Sequence, residues 1–329
     1  MLNILKITDI HFYDKNPSAR LDNYTDSLID KISQVAKQVE VLDVSAVVFC
    51  GDLFHDHAAS RVSHLLVNRV LNALKSIPCP IYGIAGNHDL IYHRMDSLSK
   101  QPLGVIISAG GFQLLDDNPV TISKDGIDVD IFGVSYCGDP ISKAAQLVPK
   151  SKYSVLCLHC IVTPDGGPFF NEATISHKTL TDLPFNVFAL GHFHQDTGIE
   201  SFPDNKFICN SGSLSRGSLH TDNITRVPKI EVYSFTGTSI RCGFVELDVK
   251  PSAEIFDLRK REIEKQEASK IKAFVASLLV TGNTAGDLSA EGAADRSKEL
   301  LTSILNSDTV AVEVRDLILE YLIKAGLIL

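Results

Sequence analysis

Five short segments rich in oxygen and imidazole donors occur in order along the chain. They are Asp9-Ile10-His11, Gly51-Asp52-Leu53-Phe54-His55, Gly86-Asn87-His88-Asp89, Leu158-His159 and Gly191-His192-Phe193-His194. Each follows an apolar run that reads as a strand. Residues two apart on an extended chain point the same way, so Asp9 with His11, and His192 with His194, each present two donors to one side. With His88 set aside, the set holds two carboxylates (Asp9, Asp52), one amide oxygen (Asn87) and four imidazoles (His11, His159, His192, His194). That is too many ligands for one ion with an open position, and it suits two first-row ions sharing a carboxylate. Mixed nitrogen and oxygen donors without thiolate favour Mn, Fe or Zn over a cysteine-bound structural zinc. Two ions roughly 3.5–4 Å apart activate a water and stabilise a leaving oxygen in phosphoryl displacement. The chemistry expected is phosphoester hydrolysis. A lone Asp-x-His or Gly-Asp carries almost no information; five such segments in one order at strand ends carry a great deal.

The elements that must position these residues alternate in the first half. Leu2 to Thr8 reads as a strand, Asp22 to Val39 as a helix with Leu28, Ile32, Val35, Ala36 and Val39 on one side, and Ser45 to Cys50 as a strand. A helix over Ala59 to Leu74 and a strand over Pro80 to Ala85 follow. Strand then helix, repeated, predicts an α/β sheet with chemistry at the carboxyl ends of the strands. From Gly111 to Gly133 short β segments around Asp116-Asp117-Asn118-Pro119 and Lys124-Asp125-Gly126 predict a hairpin or meander at a sheet edge. Strands resume at Tyr153 to Leu158, Val187 to Leu190, Lys206 to Cys209, Lys229 to Phe235 and Ser239 to Leu247.

The chain has 329 residues, 44% hydrophobic and 22% charged, with ordinary globular composition. Its net charge of −9 excludes a protein whose whole surface binds nucleic acid or anionic membrane. A local cationic stretch remains, in which Lys206, Arg216, Arg226 and Lys229 face only Asp222. With two divalent ions beside it, that stretch is expected to contact a few phosphates. The seven cysteines form no Cys-x-x-Cys pair and read as reduced thiols of a cytoplasmic protein. No leader and no membrane span are read from the sequence.

The metal-ligand segments resemble the signature of calcineurin-like metallophosphoesterases, over approximately residues 1 to 250. The resemblance implies a four-layer α-β-β-α sandwich, an α/β fold with metal ions at the sheet ends. It also implies that Asp9, His11 and His194 hold one ion, that Asn87, His159 and His192 hold the other, and that Asp52 bridges them. Ser/Thr phosphatases of this family carry an aspartate three residues after the bridging Asp, then Arg-Gly, and an Asn-His-Glu block. This chain has His55, no Arg-Gly, and Asn87-His88-Asp89. Gly51-Asp52-Leu53-Phe54-His55 and the segment Asn210 to Ser218 (NSGSLSRGS) instead resemble SbcD-type nuclease subunits of double-strand-break repair complexes. That branch implies a manganese-dependent DNA exonuclease/endonuclease, Fe2+, Zn2+ or Mg2+ being the other ions its ligands accept. It implies DNA and an SbcC-like SMC-type ATPase as partners, and a homodimer through helices such as Asp22–Val39 and Ala59–Leu74. In that branch the histidine matching His88 meets the scissile phosphate and the one matching His55 acts close by; Ser213 and Arg216 are the candidate DNA contacts.

Two further readings stand beside this one: a cytoplasmic small-nucleotide phosphodiesterase or phosphatase of the same superfamily, and an assembly subunit whose metals serve structure alone. Asp56 and Asp89 are candidate acceptors for the histidines. His57, His64, His93, His177 and His220 read as solvated. Past Lys250-Pro251 the composition shifts, dividing the chain into 1–250 and a helical module 251–329. That module is read as a helix over Ser252 to Val280, a Gly/Ala-rich linker 282–294 and two more helices, with partner docking as its candidate role.

Overall fold

The computed structural model describes residues 1–116, 118–167, 172–260 and 262. Its strands are β1 (Leu2–Ile7), β2 (Val44–Cys50), β3 (Ile81–Ile84), β4 (Gln113–Leu114), β5 (Val120–Lys124), β6 (Ile127–Val134), β7 (Tyr153–Thr163), β8 (Thr174–Ser176), β9 (Val187–His192), β10 (Gly198–Phe202), β11 (Lys206–Asn210), β12 (Lys229–Phe235) and β13 (Ile240–Glu246). They form two sheets. The first runs β13-β12-β1-β2-β3-β4 and the second β10-β11-β9-β7-β6-β5, with β8 paired to β7. Within the first, β1, β2 and β3 are parallel; within the second, β6, β7 and β9 are parallel. The expected hairpin is β5 with β6, an antiparallel pair at the edge of the second sheet.

Side chains alternate across each strand, and the burial follows that alternation. Leu2 and Ile4 of β1, Ala46 and Val48 of β2, and Ile84 of β3 pack between the sheets against Val129, Ile131, Val155, Val187 and Ala189. The opposite side of the first sheet, with Leu5, Ile7, Val47 and Phe49, packs on α1 (Tyr24–Val41), α2 (His64–Lys75) and α3 (Pro102–Ser108). The outer face of the second sheet is covered more thinly, by α4 (Pro140–Ala144), α5 (His177–Thr181) and the Leu183–Phe185 turn. This is the expected four-layer α-β-β-α arrangement.

Caps set the helix starts. Asn23 accepts from the Asp26 N–H at 3.0 Å and opens α1, which buries Leu28, Lys31, Ile32, Val35 and Val39. The helix expected from Ala59 is two pieces: a 3-10 turn at Ala59–Arg61, then α2 from His64. Val62 is extended and buried between them, and Ser63 restarts the helix by accepting from the Leu66 N–H at 3.0 Å. A second departure lies at the end of the described chain. The helix expected over Ser252 to Val280 is interrupted after one turn, Ser252–Ile255, where Phe256 is extended and pairs with Arg20. Helix resumes at 258–260 and 262, with Asp257 accepting from the Arg259 N–H at 3.1 Å, and the rest of that expected helix lies outside the described residues. Residues contact one another in two units, Met1–Phe256 and Asp257–Leu329. The expected linker and two last helices lie outside the described residues.

Candidate metal centre

The parallel strands of both sheets end on one side of the sandwich: three donor segments are the turns that follow β1, β2 and β3, while His159 lies within β7 and His192 closes β9, with His194 just beyond it. The β1 turn is stitched to the β2 turn by the backbone: Asp9 N–H donates to the Gly51 carbonyl, and the Ile10 and His11 N–H groups to that of Asp52, each at 3.0 Å. Asp9, His11, Asp52 and His192 all sit at positive φ (50°, 53°, 58° and 86°). Such a conformation is uncommon for non-glycine residues and clusters where function holds it. Two glycines explain how close the turns come. A Cβ on Gly86 would lie 2.0 Å from Asp52 Oδ1, and one on Gly191 would lie 2.1 Å from the Cys50 carbonyl oxygen.

Three donor groups result, and Asp52 belongs to two of them: Asp9, His11, Asp52 and His194 in the first, Asp52, His159 and His192 in the second; the third is His11 with His55 and His88. Asp52 Oδ2 lies 3.6 Å from His11 Nε2 and 3.3 Å from His159 Nε2. In the first group His11 Nε2 and His194 Nε2 approach to 2.9 Å, and Asp9 Oδ1 lies 3.6 Å from His194 Nε2. The Asp9 carboxylate is oriented by the His192 N–H at 3.1 Å and the Thr8 hydroxyl at 2.7 Å. In the second group Asn87 Oδ1 meets His159 Nε2 at 2.9 Å and His192 Nδ1 at 3.0 Å.

The protons in the second group indicate what it is built for. His159 Nδ1 lies 2.7 Å from the Cys50 carbonyl, which only accepts, so Nδ1 carries the hydrogen. In the neutral ring Nε2 is then a lone pair facing two more acceptors, Asp52 Oδ2 and Asn87 Oδ1. His192 repeats the pattern. Its Nε2 donates to Glu172 Oε2 at 2.6 Å, which turns the Nδ1 lone pair toward Asn87 Oδ1. Lone pairs converging on lone pairs call for a cation between them. In the ring's own ionisation the same demand appears: burial lowers the His159 pKa, but the Asp52 carboxylate outweighs burial and raises it to about 9. Burial works to raise Asp52, and His159 overrides it and holds that carboxyl well below the usual range. His11, buried and beside three other imidazoles, is held far below 6.5 and neutral, as a metal ligand must be. The donor set therefore fits two divalent ions sharing Asp52.

His88 stands beside this pair of groups. Its N–H donates to Asp52 Oδ1 at 2.9 Å, and its ring Nδ1 donates to the His55 carbonyl at 2.7 Å, leaving Nε2 free. The His55 ring stacks on that of His88 with centroids 5.5 Å apart and leans on Tyr13 at 4.6 Å. Asp89 does not touch the histidines. It is buried and gathers the turn instead, accepting from the N–H groups of Asp52 (2.9 Å), Gly86 (2.9 Å) and Leu53 (3.2 Å). Burial and then the Asp52 charge push its carboxyl up to about 7. Asp56 likewise serves its own loop, capping Ala58 N–H and pairing with Arg61.

The expected DNA contacts are placed elsewhere. Ser213 is buried, and its hydroxyl donates to the Asp9 carbonyl at 2.8 Å. Arg216 is buried, donating to the Lys250 carbonyl at 2.9 Å. Arg226 grips the carbonyls of Ser213 and Ser215, and Lys31 donates to that of Leu214 at 2.7 Å. Lys206 is tied to the carbonyls of Thr181 and Leu183, while Lys229 pairs with Asp196 over the Phe244 ring. All four cations of the supposed phosphate-binding stretch are thus occupied by the protein itself. The NSGSLSRGS segment buttresses the turns of Asp9 and His194, whose carbonyl oxygen accepts the Ser213 N–H at 3.0 Å.

Sequence reasoning missed Glu172 and Tyr136. Glu172 lies twenty residues before its partner His192, in a loop with no periodicity to mark it. Tyr136 follows β6 and lays its ring against His192, centroids 5.3 Å apart. Its place at a strand end, like the donor segments, was the available signal. Two histidines read as solvated are engaged: His93 packs edge-on against Tyr136, and His177 lies 3.3 Å from Glu200.

A family model for calcineurin-like phosphoesterase matches residues 2–196. The DNA double-strand break repair protein Mre11 of Methanosarcina acetivorans is 25% identical over 75% of this chain and 41% of its own length. The protein of the same name from Archaeoglobus fulgidus is 25% identical over 86% of this chain and 63% of its own. A probable cyclic nucleotide phosphodiesterase of Pseudoalteromonas is 25% identical over 73% of this chain and 79% of its own. The chain spans about half the length of the double-strand-break repair relatives it matches.

Proposed function

We propose that this chain, which belongs to the calcineurin-like phosphoesterase family, is a dimetal-dependent nuclease that hydrolyses DNA phosphodiester bonds. The observation that carries the hydrolytic reading is the position of Asp52, shared by two groups of converging lone pairs. Asp9, His11 and His194 would hold one ion and Asn87, His159 and His192 the other, with Asp52 placed to serve both. Mn2+ is the ion proposed, with Fe2+, Zn2+ or Mg2+ compatible with the same donors. When bound, such ions turn water into a nucleophile at neutral pH and stabilise the oxygens of an in-line displacement.

The chain's own residues do the rest. Glu172 fixes which nitrogen of His192 faces the centre, and Asp89 holds the Asp52 turn by its backbone. His88 offers Nε2 to the charge that grows on a phosphoryl or leaving oxygen, its ring locked by the His55 carbonyl. His55 acts through His88 by stacking on it. Ser213 and Arg216 act as positioning residues behind the Asp9 turn.

DNA as substrate is supported by the relatives named for double-strand break repair and by the GDLFH and SGSLSRGS segments. The net charge of −9 and the occupied cations argue that DNA is gripped with a partner. The resemblance to SbcD-type subunits makes that partner an SbcC-like SMC-type ATPase, here proposed to dock on 251–329, with a homodimer through α1 and α2. Seven free thiols suit a reducing cytoplasm. A second reading, a small-nucleotide phosphodiesterase, is favoured by those same occupied cations and by the Pseudoalteromonas relative.

Protein supplied with Mn2+ is expected to degrade labelled single- or double-stranded DNA, alone or with the ATPase and ATP. His88→Ala is expected to lose about 100-fold or more in rate with metal content unchanged. Intact DNA in every combination would sink the nuclease reading, and turnover of small nucleotide diesters would then favour the second.

A further inference from the structure

A cavity of about 880 Å³ opens beside His159 and His192, within the size range of roughly 300–1,000 Å³ that takes small organic ligands. Its aromatic wall is Tyr136, whose ring lies against both His159 (5.9 Å between centroids) and His192 (5.3 Å). The Tyr136 N–H is anchored on the Ala85 carbonyl at 2.9 Å, just before the Gly86-Asn87 turn. His93 extends that wall at 4.8 Å from Tyr136, and it is turned there by two successive residues at positive φ, Tyr92 (50°) and His93 (53°). Ile141, Ile161 and Ile175 also line the cavity.

Its charge is as informative as its shape. Asp139, Asp165 and Glu172 line it, and no Lys or Arg does among the described residues. A phosphodiester held at the metal centre sends its two ester arms in opposite directions. An arm that entered this cavity carrying a phosphate of its own would meet carboxylates and no cation. An arm that ends in an uncharged, flat, hydrogen-bonding group would find an aromatic face to stack on, which is how proteins hold bases without reading their sequence.

Resting on the phosphodiester hydrolysis shared by both readings above, we infer that this cavity binds the terminal nucleoside attached to the scissile phosphate. The site then works where a nucleoside is the last unit on one side, at a strand end or in a small nucleotide ester, and it discriminates against a further phosphate on that side.

The test uses the Mn2+-loaded full chain and four substrates: methyl p-nitrophenyl phosphate, thymidine 5′- and 3′-p-nitrophenyl phosphate, and a single-stranded oligonucleotide with or without a phosphate at each end. At least one thymidine ester should exceed the methyl ester tenfold in kcat/KM, and free thymidine should inhibit competitively. Thr179→Trp and Ala173→Trp, both at exposed positions on the rim, narrow the cavity. Each should cut the thymidine-to-methyl preference at least tenfold, and a phosphate at one oligonucleotide end should slow cleavage from that end by a similar factor. Equal rates on methyl and thymidine esters, or a preference untouched by both tryptophans, would overturn the inference while leaving the hydrolase intact. Failure to turn over even the methyl ester would instead overturn the reading on which it rests. A wild-type preference for thymidine esters with uncut oligonucleotides keeps the nucleoside site and assigns it to small nucleotide esters.

Discussion

Glu172 is the residue whose role is most directly testable. It fixes the His192 hydrogen on Nε2, and a carboxylate behind a ligand histidine both orients the ring and raises its basicity. Glu172→Gln keeps a hydrogen-bond acceptor but loses the charge. Its Mn2+ affinity at the second position is expected to fall about 10- to 100-fold, read by titration of chelator-treated protein, while the first position binds as before. An unchanged second affinity would mean that Glu172 merely fills space. The candidate ligands are legible in the sequence because chemistry concentrates in short segments: Asp9 with His11 and His192 with His194 share a side of the chain by strand geometry alone. Glu172 and Tyr136 are not, because what brings them to His192 is which loop lies against which strand end. The inward placement of Ser213 and Arg216 has a related reason, since a serine or arginine in a polar segment looks the same whether it faces solvent or the protein's own carbonyls.

At the scale of elements, the strands do more than present ligands. Lys6 of β1 and Glu231 of β12 are direct cross-strand partners, fully buried between the sheets, with nitrogen and oxygen 2.8 Å apart. Ser211 N–H donates to Glu231 at 2.6 Å, and the Tyr233 hydroxyl completes the shell. Removing one member leaves a buried unpaired charge, so Lys6→Met or Glu231→Leu alone is expected to cost about 3–5 kcal/mol. The double variant should recover most of that loss in denaturant unfolding, and additive losses would show that the pair does not act as a unit. Neither partner was visible as such, because residues 6 and 231 are adjacent only after β12 pairs with β1. Periodicity did place α1 and most of the strands. It missed two breaks, between Ala59 and His64 and at Phe256, where a buried Val62 and a Phe256–Arg20 pairing override local helix preference.

For the molecule as a whole, pH reports on the metal centre. In chelator-treated protein the His159 imidazolium is stabilised by Asp52, so the folded state holds that proton more tightly than the unfolded chain does. The stability this contributes is fully present below pH 6.5 and is lost as pH rises through about 9. The melting temperature without metal should therefore fall over that window, and the fall should shrink in His159→Gln. Added Mn2+ replaces the proton and should remove most of the dependence, with protons released on binding. A metal-free melting temperature flat from pH 6.5 to beyond 9 would contradict the His159–Asp52 coupling. The net charge of −9 belongs to this scale too. It weighs against strong DNA binding by this chain alone, and the four occupied cations remove the local exception that sequence reasoning had allowed.

The sequence by itself determined the donor types, their order at strand ends and hence the dimetal hydrolase chemistry, because ligand identity and strand periodicity are local properties. Only the tertiary structure decided that Asp52 serves two donor groups, that Glu172 orients His192, that Tyr136 and His93 wall a cavity with no Lys or Arg in its lining among the described residues, and that Arg216 faces inward. Each of those depends on two segments far apart in the chain being brought within a few ångströms. That proximity is set by how the two sheets pack, which no single stretch of residues encodes.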